Sequence, residues 1–443
     1  MCIAIPKTKN VKLITMNYYS LHRKSPNTTF KNAVIEGLAK DRGIYFPENF
    51  RPLSNDFIEN IEQYSHEEIA FEAIKQFVGD EIPETVLKEI IKETVSFDFP
   101  VVEVKENIGT LELFHGPTMA FKDVGARFMS SCLAYFNRDN DKEITVLVAT
   151  SGDTGGAVAN GFLNKTGIKV VILYPSGKVS DIQERQLTTL GNNITALEVD
   201  GVFDDCQDMV KTAFLDESIQ RTLTSANSIN VARWLPQMFY FFFAYRQLKK
   251  QNKELVFSVP SGNFGNICAG IMANKLGLPI KHFIAATNIN DTVSDYLENG
   301  VYTPKPSKAT ISNAMDVGNP SNFIRIQELF NNDLGALKNK FSSSSFTDEA
   351  TKKAMKSIFE ETGYVADPHG AVGYLGLHKY DLKENEYGVF LETAHPVKFL
   401  DVVETILPVT IEIPEQIKKV IGKEKVSLKI RTYEELKSYL NVE

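Results

Sequence analysis

The 443-residue sequence lacks a long hydrophobic run. Its most apolar stretch, 238–245, is far shorter than the roughly 20 residues of a membrane-spanning helix, and we interpret it as a buried helix. The N-terminus also lacks the sustained apolar segment of a signal peptide. These absences predict a cytoplasmic protein that does not associate with membranes. A domain-like sequence follows Met16 directly, so we expect Met16 to be the biological start and the first fifteen residues to be an extension.

Cysteine is scarce, and positive charge is not in excess. The four cysteines are Cys2, Cys132, Cys206 and Cys268. They form no CxxC pair, they have no histidine partners at zinc spacing, and the seven histidines form no HExxH pattern. Reduced thiols and no metal site are therefore expected. The net charge of −8 argues against a broad basic surface for nucleic acid or anionic membrane.

The chain is too long for one ordinary core, and two or three domains are expected. Residues 1–98 are predicted to form a mainly helical N-terminal domain, in which Ser65 and Glu68 have the spacing of a capping box. From residue 99 onward, β-branched runs alternate with amphipathic segments, which is typical of parallel sheets covered by helices. The predicted strands lie in 143–150, 169–174, 194–200, 254–266, 281–287 and 387–396.

Three local patterns complete this outline. Asp367 and Pro368 are predicted to open a helix as its N-cap and first-turn proline. The stretch 301–325 is rich in proline, serine and asparagine, and its length favours a functional loop over a simple connection. The segment "FSSSSF" at 341–346 is predicted to be a short polar loop.

Two glycine-rich turns each follow a predicted strand and precede a predicted helix. They are "ATSGDTGGAVA" at 149–159 and "PSGNFGNICAG" at 260–270. Glycine allows close approach of the backbone to an anion, and a helix N-terminus offers free N–H groups. Neither turn has the pattern of a Walker A loop or of a dinucleotide-binding loop. Two turns predict two bound anions or one molecule with two anionic ends; the alternative is a pair of tight turns without a ligand.

The segment "FHGPTMAFKD" at 114–123 puts one lysine, Lys122, after a rigid turn and among small and apolar residues. A partly buried amine loses its charge more readily and can form a Schiff base with a carbonyl. Pyridoxal phosphate combines such a carbonyl with a phosphate that a glycine turn could hold. The alternative is a surface lysine paired with Asp123.

Together these motifs resemble the threonine synthase family, whose members are pyridoxal-phosphate enzymes of fold type II. The resemblance covers about residues 17–400. The motifs occur in the family's order: "YYSLHRKS", "AVIEGLAKDRGIYFPE", "FHGPTMAFKDVGARF", "ATSGDTGGAVA", "YPSGKVSDIQERQ", "NSINVARWLPQ", "VPSGNFGN", "AATNINDTV", "SNAMDVGNPSNF" and "ETAHPVKF". The resemblance implies an α/β catalytic core over 99–443, with a smaller mobile α/β subdomain at about 128–236.

The resemblance also implies a set of cofactor-binding residues. Lys122 is expected to hold the cofactor as a Schiff base, and the Thr393 hydroxyl to face its pyridine nitrogen. Asp153 is expected near the cofactor 3-hydroxyl, where many fold-type II enzymes have asparagine. The phosphate would lie on the backbone of Gly262, Asn263, Phe264, Gly265 and Asn266. Thr393 could alternatively be an ordinary residue at the end of a strand.

The remaining motif residues are expected to bind the substrate, O-phospho-L-homoserine. Its carboxylate would lie on Ser151, Gly152 and Thr154, and its phosphate on Lys178 and Arg185. A second polar group that could help consists of Asn227, Ser228, Asn230 and Arg233. Each of these residues could instead be a helix cap or lie on a solvated helix face.

The implied reaction converts O-phospho-L-homoserine and water to L-threonine and phosphate, with the smaller subdomain closing over the substrate. A phospholyase that releases 2-oxobutyrate, ammonia and phosphate is the alternative enzyme, because it would use the same motifs. A non-catalytic protein with two anion sites is the alternative outside enzymes. The partner is a small molecule, and the protein is expected to be a monomer or a homodimer.

Overall fold

The computed structural model describes residues 15–441, so most of the proposed N-terminal extension lies outside the described residues. The strands are β1 Asn17–Ser20, β2 Thr28–Thr29, β3 Tyr45–Pro47, β4 Val101–Lys105, β5 Ile108–Glu112, β6 Ile144–Ala149, β7 Ile168–Pro175, β8 Ile194–Val199, β9 Thr222–Ser225, β10 Glu254–Pro260, β11 Ile280–Thr287, β12 Phe341–Ser345, β13 Glu386–Glu392 and β14 Leu428–Ile430. Among residues 15–441, no helix has the length and apolar character needed to cross a membrane.

The helices surround these strands. They are α1 Phe30–Glu36, α2 Asn55–Glu59, α3 His66–Val78, α4 Glu84–Thr94, α5 Lys122–Asn137, α6 Asp153–Phe162, α7 Asp181–Thr188, α8 Phe203–Leu215, α9 Val231–Trp234, α10 Phe239–Leu248, α11 Gly265–Lys275, α12 Thr292–Asn299, α13 Phe323–Leu329, α14 Leu334–Lys338, α15 Asp348–Thr362, α16 Pro368–Tyr380, α17 Leu400–Ile406, α18 Glu415–Ile421 and α19 Tyr433–Asn441.

The larger sheet has six strands in the order β12-β11-β10-β13-β5-β4. All neighbours are parallel except β4 and β5, which form an antiparallel pair at one edge. Helices cover the sheet, and α16 packs across β10, β11 and β13. Because β13 is buried along its whole length, its sequence is an unbroken apolar run between two glutamates rather than an alternating pattern.

The second sheet has five parallel strands in the order β14-β8-β7-β6-β9. Strand β14 comes from the C-terminal end of the chain and pairs Leu428 with Leu197 and Ile430 with Val199. The sequence analysis did not predict this return of the C-terminus to the sheet. Every residue of β6 is buried, which explains its continuous apolar run.

The N-terminal region contains helices α1–α4 and also a small antiparallel sheet in the order β2-β1-β3, which the sequence analysis did not predict. The capping box of α3 is present, because Ser65 and Glu68 each bond to the other's backbone. The predicted N-cap Asp367 is also present, with its side chain accepting from the N–H groups of His369 and Gly370.

The prediction of a polar loop at 341–346 is wrong. Residues Phe341–Ser345 form β12, the edge strand that pairs in parallel with β11. Backbone pairing and the buried Phe341 outweigh the low strand preference of the serines, whose hydroxyls find partners at this edge. Ser343, for example, donates a hydrogen bond to the carbonyl of Ala285.

Both glycine turns lie where the strand order of a sheet reverses. The chain leaves β6 towards β7 on one side, while β9 lies on the other side of β6. In the same way it leaves β10 towards β11, while β13 lies on the opposite side of β10. Crevices at the carboxyl ends of strands at such reversals are the usual ligand sites of open parallel sheets.

Candidate active site

A cavity of about 450 Å³ lies where the carboxyl ends of the two large sheets meet. Strands β6, β10 and β13 each lead directly into residues that line it. The lining also includes the start of α8, the 227–233 segment and part of the long 301–322 loop. The functional loop expected at 301–325 is therefore one wall of this cavity.

Lys122 is the first residue of α5 and lines the cavity. The turn before it includes Met119, whose φ of 57° is unusual for a residue with a side chain and is the kind of strain found at functional sites. Phe121 fixes the helix start, because its N–H donates to the carbonyl of Thr393 at 2.9 Å. The hydroxyl of Tyr240 donates to the Phe121 carbonyl from the other side.

The protein lowers the pKa of Lys122 to about 8. Burial is the largest cause, because it disfavours the ammonium form. The negative charge of Asp153 raises the pKa, and the positive charges of Arg233 and Lys398 lower it. Lys122 therefore has a much larger neutral fraction at physiological pH than a lysine with the ordinary pKa of 10.5.

The second glycine turn ends in a helix start that lines the cavity and has no side-chain cap. Phe264 has a left-handed backbone with φ of 59°, no side chain caps the first N–H groups of α11, and Gly265 begins the helix. At Gly262 a Cβ atom would lie 2.7 Å from the carbonyl oxygen of Ala314, so only glycine fits there. Both polar side-chain atoms of Asn266 are buried without a hydrogen-bond partner. Free N–H groups and an unpartnered amide suit a phosphate group.

Thr393 follows β13 and also lines the cavity, beside Lys122. Its carbonyl binds the N–H of Phe121, and Ala394 forms an antiparallel bridge with Ala120. These backbone contacts fix the position of Thr393 relative to the turn that carries Lys122. The expected contact of the Thr393 hydroxyl with a pyridine nitrogen stays a prediction.

The first glycine turn brings two of its expected residues to the cavity, Ser151 and Thr154. Gly152 is needed for the backbone, because its φ is 144° and a Cβ atom would lie 2.5 Å from the amide nitrogen of Gln183. The side chain of Asp153 does not line the cavity. Its Oδ1 lies 2.6 Å from Nζ of Lys398 and accepts a hydrogen bond from Gln183 at 3.0 Å.

The carboxyl group of Asp153 is held ionised by this pairing. Burial alone would raise its pKa, but the positive charges of Lys398 and Lys122 and the hydrogen bonds from Lys398 and Gln183 lower it to about 2. The site therefore contains a buried anion with its own buried counter-ion.

The 227–233 segment supplies a second set of polar groups. Asn227, Ser228 and Arg233 line the cavity. Arg233 is 2% exposed, its guanidinium binds the Ala226 carbonyl, and its Nε is buried without a partner. Asn230 is not part of the lining, because its side chain caps α9 and binds the carbonyls of Val34 and Ser225.

The structure does not bring Lys178 or Arg185 to the cavity lining. Lys178 is exposed in the turn after β7. Arg185 is held by Asp181 at 2.7 Å and by the carbonyls of Ile421 and Lys423. Arg185 and the carbonyl of Ile421 are 236 positions apart in the chain, so no local motif indicates this contact.

Comparison with known proteins agrees with this geometry. Residues 108–391 match the family described as pyridoxal-phosphate dependent enzyme, and residues 17–95 match the threonine synthase N terminus. The chain is 45% identical to threonine synthase of Escherichia coli over 405 residues, covering 91% of this chain and 94% of that protein. It is also 45% identical over 430 residues to threonine synthase of Buchnera aphidicola subsp. Baizongia pistaciae, covering 96% and 99%. The chain belongs to the threonine synthase family.

Solved structures of threonine synthases have the same fold. The crystal structure of the Escherichia coli enzyme has a TM-score of 0.90 and 43% identity, covering 96% of this chain and 99% of that one. The structure of pyridoxal-phosphate-bound threonine synthase from Brucella melitensis has a TM-score of 0.90 and 33% identity, again covering 96% and 99%. The fold class, the threonine synthase function and the cofactor expected from the sequence are thereby confirmed.

Four further charged or titratable residues in or beside the cavity were missed by the sequence analysis. Lys211, which pairs with Asp208, and Lys305, which pairs with Asp291 and Asp295, line the cavity, and His369 lines it from the start of α16. Lys398 does not line the cavity, but its buried side chain forms an ion pair with Asp153. The "ETAHPVKF" motif contained Lys398, but nothing in the local pattern distinguished a buried counter-ion from a surface lysine.

Proposed function

We propose that the protein converts O-phospho-L-homoserine and water to L-threonine and phosphate, as a carbon–oxygen lyase acting on a phosphate ester. One observation carries this proposal: the Lys122 amine and two glycine turns, each leading into a helix, share a single cavity. The substrate has a carboxylate and a phosphate, and the cofactor has a second phosphate. A site for this reaction needs both an amine and several places for anions.

The residues present fit the cofactor. Lys122 would hold its carbonyl, and the turn from Gly262 to Asn266 would hold its phosphate, because that turn ends in uncapped N–H groups and a buried unpartnered amide. Thr393 would face its ring from the end of β13. When bound, the cofactor supplies an electron sink that stabilises negative charge on the substrate carbons.

Lys122 would act as the general base and acid of the reaction. Its Nζ would take the proton from the α-carbon of the substrate and hold it at nitrogen. The lowered pKa of Lys122, about 8, makes the unprotonated amine available near neutral pH. The buried setting would also keep bulk water away from the reacting carbons.

The polar lining would orient the substrate. Ser151 and Thr154, at the N-terminus of α6, suit its carboxylate. Arg233 lines the cavity and has an unpartnered buried Nε that suits its phosphate. We also propose a cytoplasmic location, since Cys132, Cys206 and Cys268 are buried free thiols.

A product assay tests the function. Purified protein loaded with pyridoxal phosphate is given O-phospho-L-homoserine, and phosphate, threonine and 2-oxobutyrate are measured together. We expect one threonine for each phosphate released. The Lys122→Ala variant should form no threonine, because it loses both the cofactor bond and the base. Lys418→Ala is the matched control, because Lys418 is an exposed lysine of α18 that pairs with Glu415.

Two outcomes would contradict the proposal. Phosphate accompanied by 2-oxobutyrate and no threonine would identify a phospholyase. Absence of phosphate release by a protein that holds the cofactor would mean that the substrate is a different molecule.

A further inference from the structure

A buried ion pair links the two large sheets directly behind Lys122. Lys398 lies in the short turn after β13, on the side of the six-stranded sheet, and Asp153 begins α6 of the five-stranded sheet. The side chain of Lys398 has no exposure, that of Asp153 has 4%, and the two charged atoms are 2.6 Å apart. Neither side chain lines the cavity.

Lys398 also holds the turn that precedes Lys122. Its Nζ donates to the carbonyl of Thr118 at 3.0 Å. Gln186 donates to the same carbonyl at 3.0 Å, and Gln183 donates to Asp153 at 3.0 Å. Lys398 thus connects Asp153 in the first glycine turn to Thr118 in the turn before Lys122. Gln183 and Gln186 of α7 donate to the same two acceptors, the Asp153 carboxylate and the Thr118 carbonyl.

Several charged groups act on the pKa of Lys122, and the Lys398–Asp153 pair supplies two of them. Asp153 of α6, Arg233 of α9 and Lys398 of the turn after β13 act on Lys122, and Asp123 lies next to it on α5 with its carboxyl group bound by Thr118. Besides Lys122 and Arg233, the charged or titratable groups of the cavity lining are Asp204, Lys211, Lys305, Asp316 and His369. Among all of these, Lys398 and Lys122 are the cations that act on Asp153 most strongly.

It follows that Lys398 and Lys122 compete for one carboxylate. If Lys398 were neutral, Asp153 would keep Lys122 as its remaining strong cation, and the ammonium form of Lys122 would be stabilised. An ammonium has no lone pair with which to attack a carbonyl or take up a proton.

We propose that Lys398 is a positioning residue that binds Asp153 so that Lys122 stays available as a neutral amine. The inference rests on the proposed role of Lys122.

The attachment of the cofactor to the full-length chain tests this inference. The neutral Nζ of Lys122 adds to the aldehyde carbon of pyridoxal phosphate, a C=N bond forms, and the aldehyde oxygen leaves as water. Protein freed of cofactor is mixed with pyridoxal phosphate, and the rate of visible absorbance is measured against pH. The midpoint of that profile reports the ionisation of Lys122, and a merely structural role of Lys398 would not move it.

Four variants are compared with the natural chain: Lys398→Met, Asp153→Asn, the double variant and Lys398→Arg. We expect the midpoint near 8 in the natural chain, higher in Lys398→Met and lower in Asp153→Asn. Each unit of upward shift slows attachment about tenfold at pH below the midpoint. The double variant and Lys398→Arg should return close to the natural midpoint. Lys418→Met, an exposed lysine in an ion pair, is the control and should leave the profile unchanged.

Natural midpoints in both single variants would overturn the inference. If Lys398→Met fails to fold, Asp153→Asn and the double variant decide, because the inference requires a lower midpoint in the first and a natural one in the second. Failure of the proposed function is recognised separately. In that case Lys122→Ala would still bind the cofactor covalently, or the natural chain would load normally and release no phosphate from O-phospho-L-homoserine.

Discussion

At the scale of single residues, Arg233 illustrates how burial changes a side chain. Its guanidinium is almost fully buried, and burial is the main cause that lowers its pKa to about 10. It nevertheless remains charged at neutral pH, with one N–H group unpartnered. Gly125 on α5 permits this position, because a Cβ atom there would lie 2.6 Å from the Arg233 carbonyl oxygen. A buried cation with an unused donor is suited to an anionic substrate.

We predict that Arg233→Lys weakens substrate binding. A lysine keeps the charge but loses the fixed fork of donors, and a charge-assisted hydrogen bond contributes about 1.5–3 kcal/mol. KM for O-phospho-L-homoserine should therefore rise by roughly 10- to 150-fold with a smaller change in kcat. Steady-state kinetics measure both, and Arg138→Lys, half exposed on the surface, is the control. A larger rise in KM from Arg185→Lys would favour the assignment made from sequence.

A second residue-scale prediction concerns Glu392, which precedes Thr393. Burial, the charge of Asp367 and the charge of Glu112 raise the pKa of Glu392 well above its ordinary value of 4.5. The folded protein therefore holds a proton that the unfolded chain releases at lower pH. The resulting stability is fully present below the ordinary pKa and is lost as pH rises towards the folded pKa.

We expect the free energy of unfolding to fall over this range by at most about 1.4 kcal/mol per pH unit through this one group. Glu392→Gln removes the ionisation, so its stability should fall less steeply than that of the natural chain. Urea unfolding between about pH 5 and pH 8 measures the difference. Glu349→Gln, on an exposed carboxylate, should follow the natural chain. Equal slopes for Glu392→Gln and the natural chain would show that Glu392 ionises in the folded protein.

At the scale of elements, the second glycine turn and the 301–322 loop depend on each other. A Cβ atom at Gly262 would lie 2.8 Å from Cα of Met315, and Asn263 accepts the N–H of Ser321 at 2.6 Å. The loop therefore packs on the backbone of the turn, and the fit leaves no room for a methyl group.

We predict that Gly262→Ala weakens cofactor binding by displacing this loop or the turn. Overpacking of this kind costs about 1–3 kcal/mol, or roughly 5- to 150-fold in the Kd for pyridoxal phosphate. Equilibrium titration of the visible absorbance measures the Kd. Gly422→Ala is the control, because a Cβ atom there meets nothing within 4 Å. An unchanged Kd in Gly262→Ala would mean that the turn is not the cofactor-binding element.

Elements were predictable wherever a local pattern determined them. The six strands predicted in the core are present as β6, β7, β8, β10, β11 and β13. The signal is strongest in β6 and β13, because strands buried on both faces need continuous apolar runs. Among the strands that were missed, β2 has two residues and β12 is mostly serine. Strand β12 pairs with β11, which lies far earlier in the chain, so its own residues carry little signal. The β4–β5 hairpin was missed although its pairing is local.

At the scale of the whole molecule, the C-terminal segment completes the five-stranded sheet. Strand β14 pairs with β8, and Leu436 and Leu440 of α19 are fully buried in the same core as Val199 and Cys206. The smaller domain predicted at about 128–236 therefore packs against residues that lie some two hundred positions later.

We predict that Leu436→Ala destabilises this sheet selectively. Truncating a buried leucine costs about 2–5 kcal/mol. Hydrogen exchange followed by mass spectrometry should show faster exchange in β6–β8 and unchanged exchange in β10, β11 and β13. Val426→Ala, at a residue that is 67% exposed, should leave both sheets unchanged. A uniform rise in exchange would indicate that the two sheets unfold as a single unit.

The sequence by itself determined the alternation of strands and helices, both glycine turns and the place of Lys122 directly after a rigid turn. These features are local, because the residues that specify them lie within a few positions of one another. The tertiary structure decided which cations reach the cavity: it brings in Lys211 and Lys305, leaves Arg185 on Asp181, and buries Lys398 on Asp153. Lys398 and Asp153 are far apart in the chain. Whether a lysine becomes a buried counter-ion or a surface charge depends on how distant segments pack together, and the sequence around the lysine does not indicate that packing.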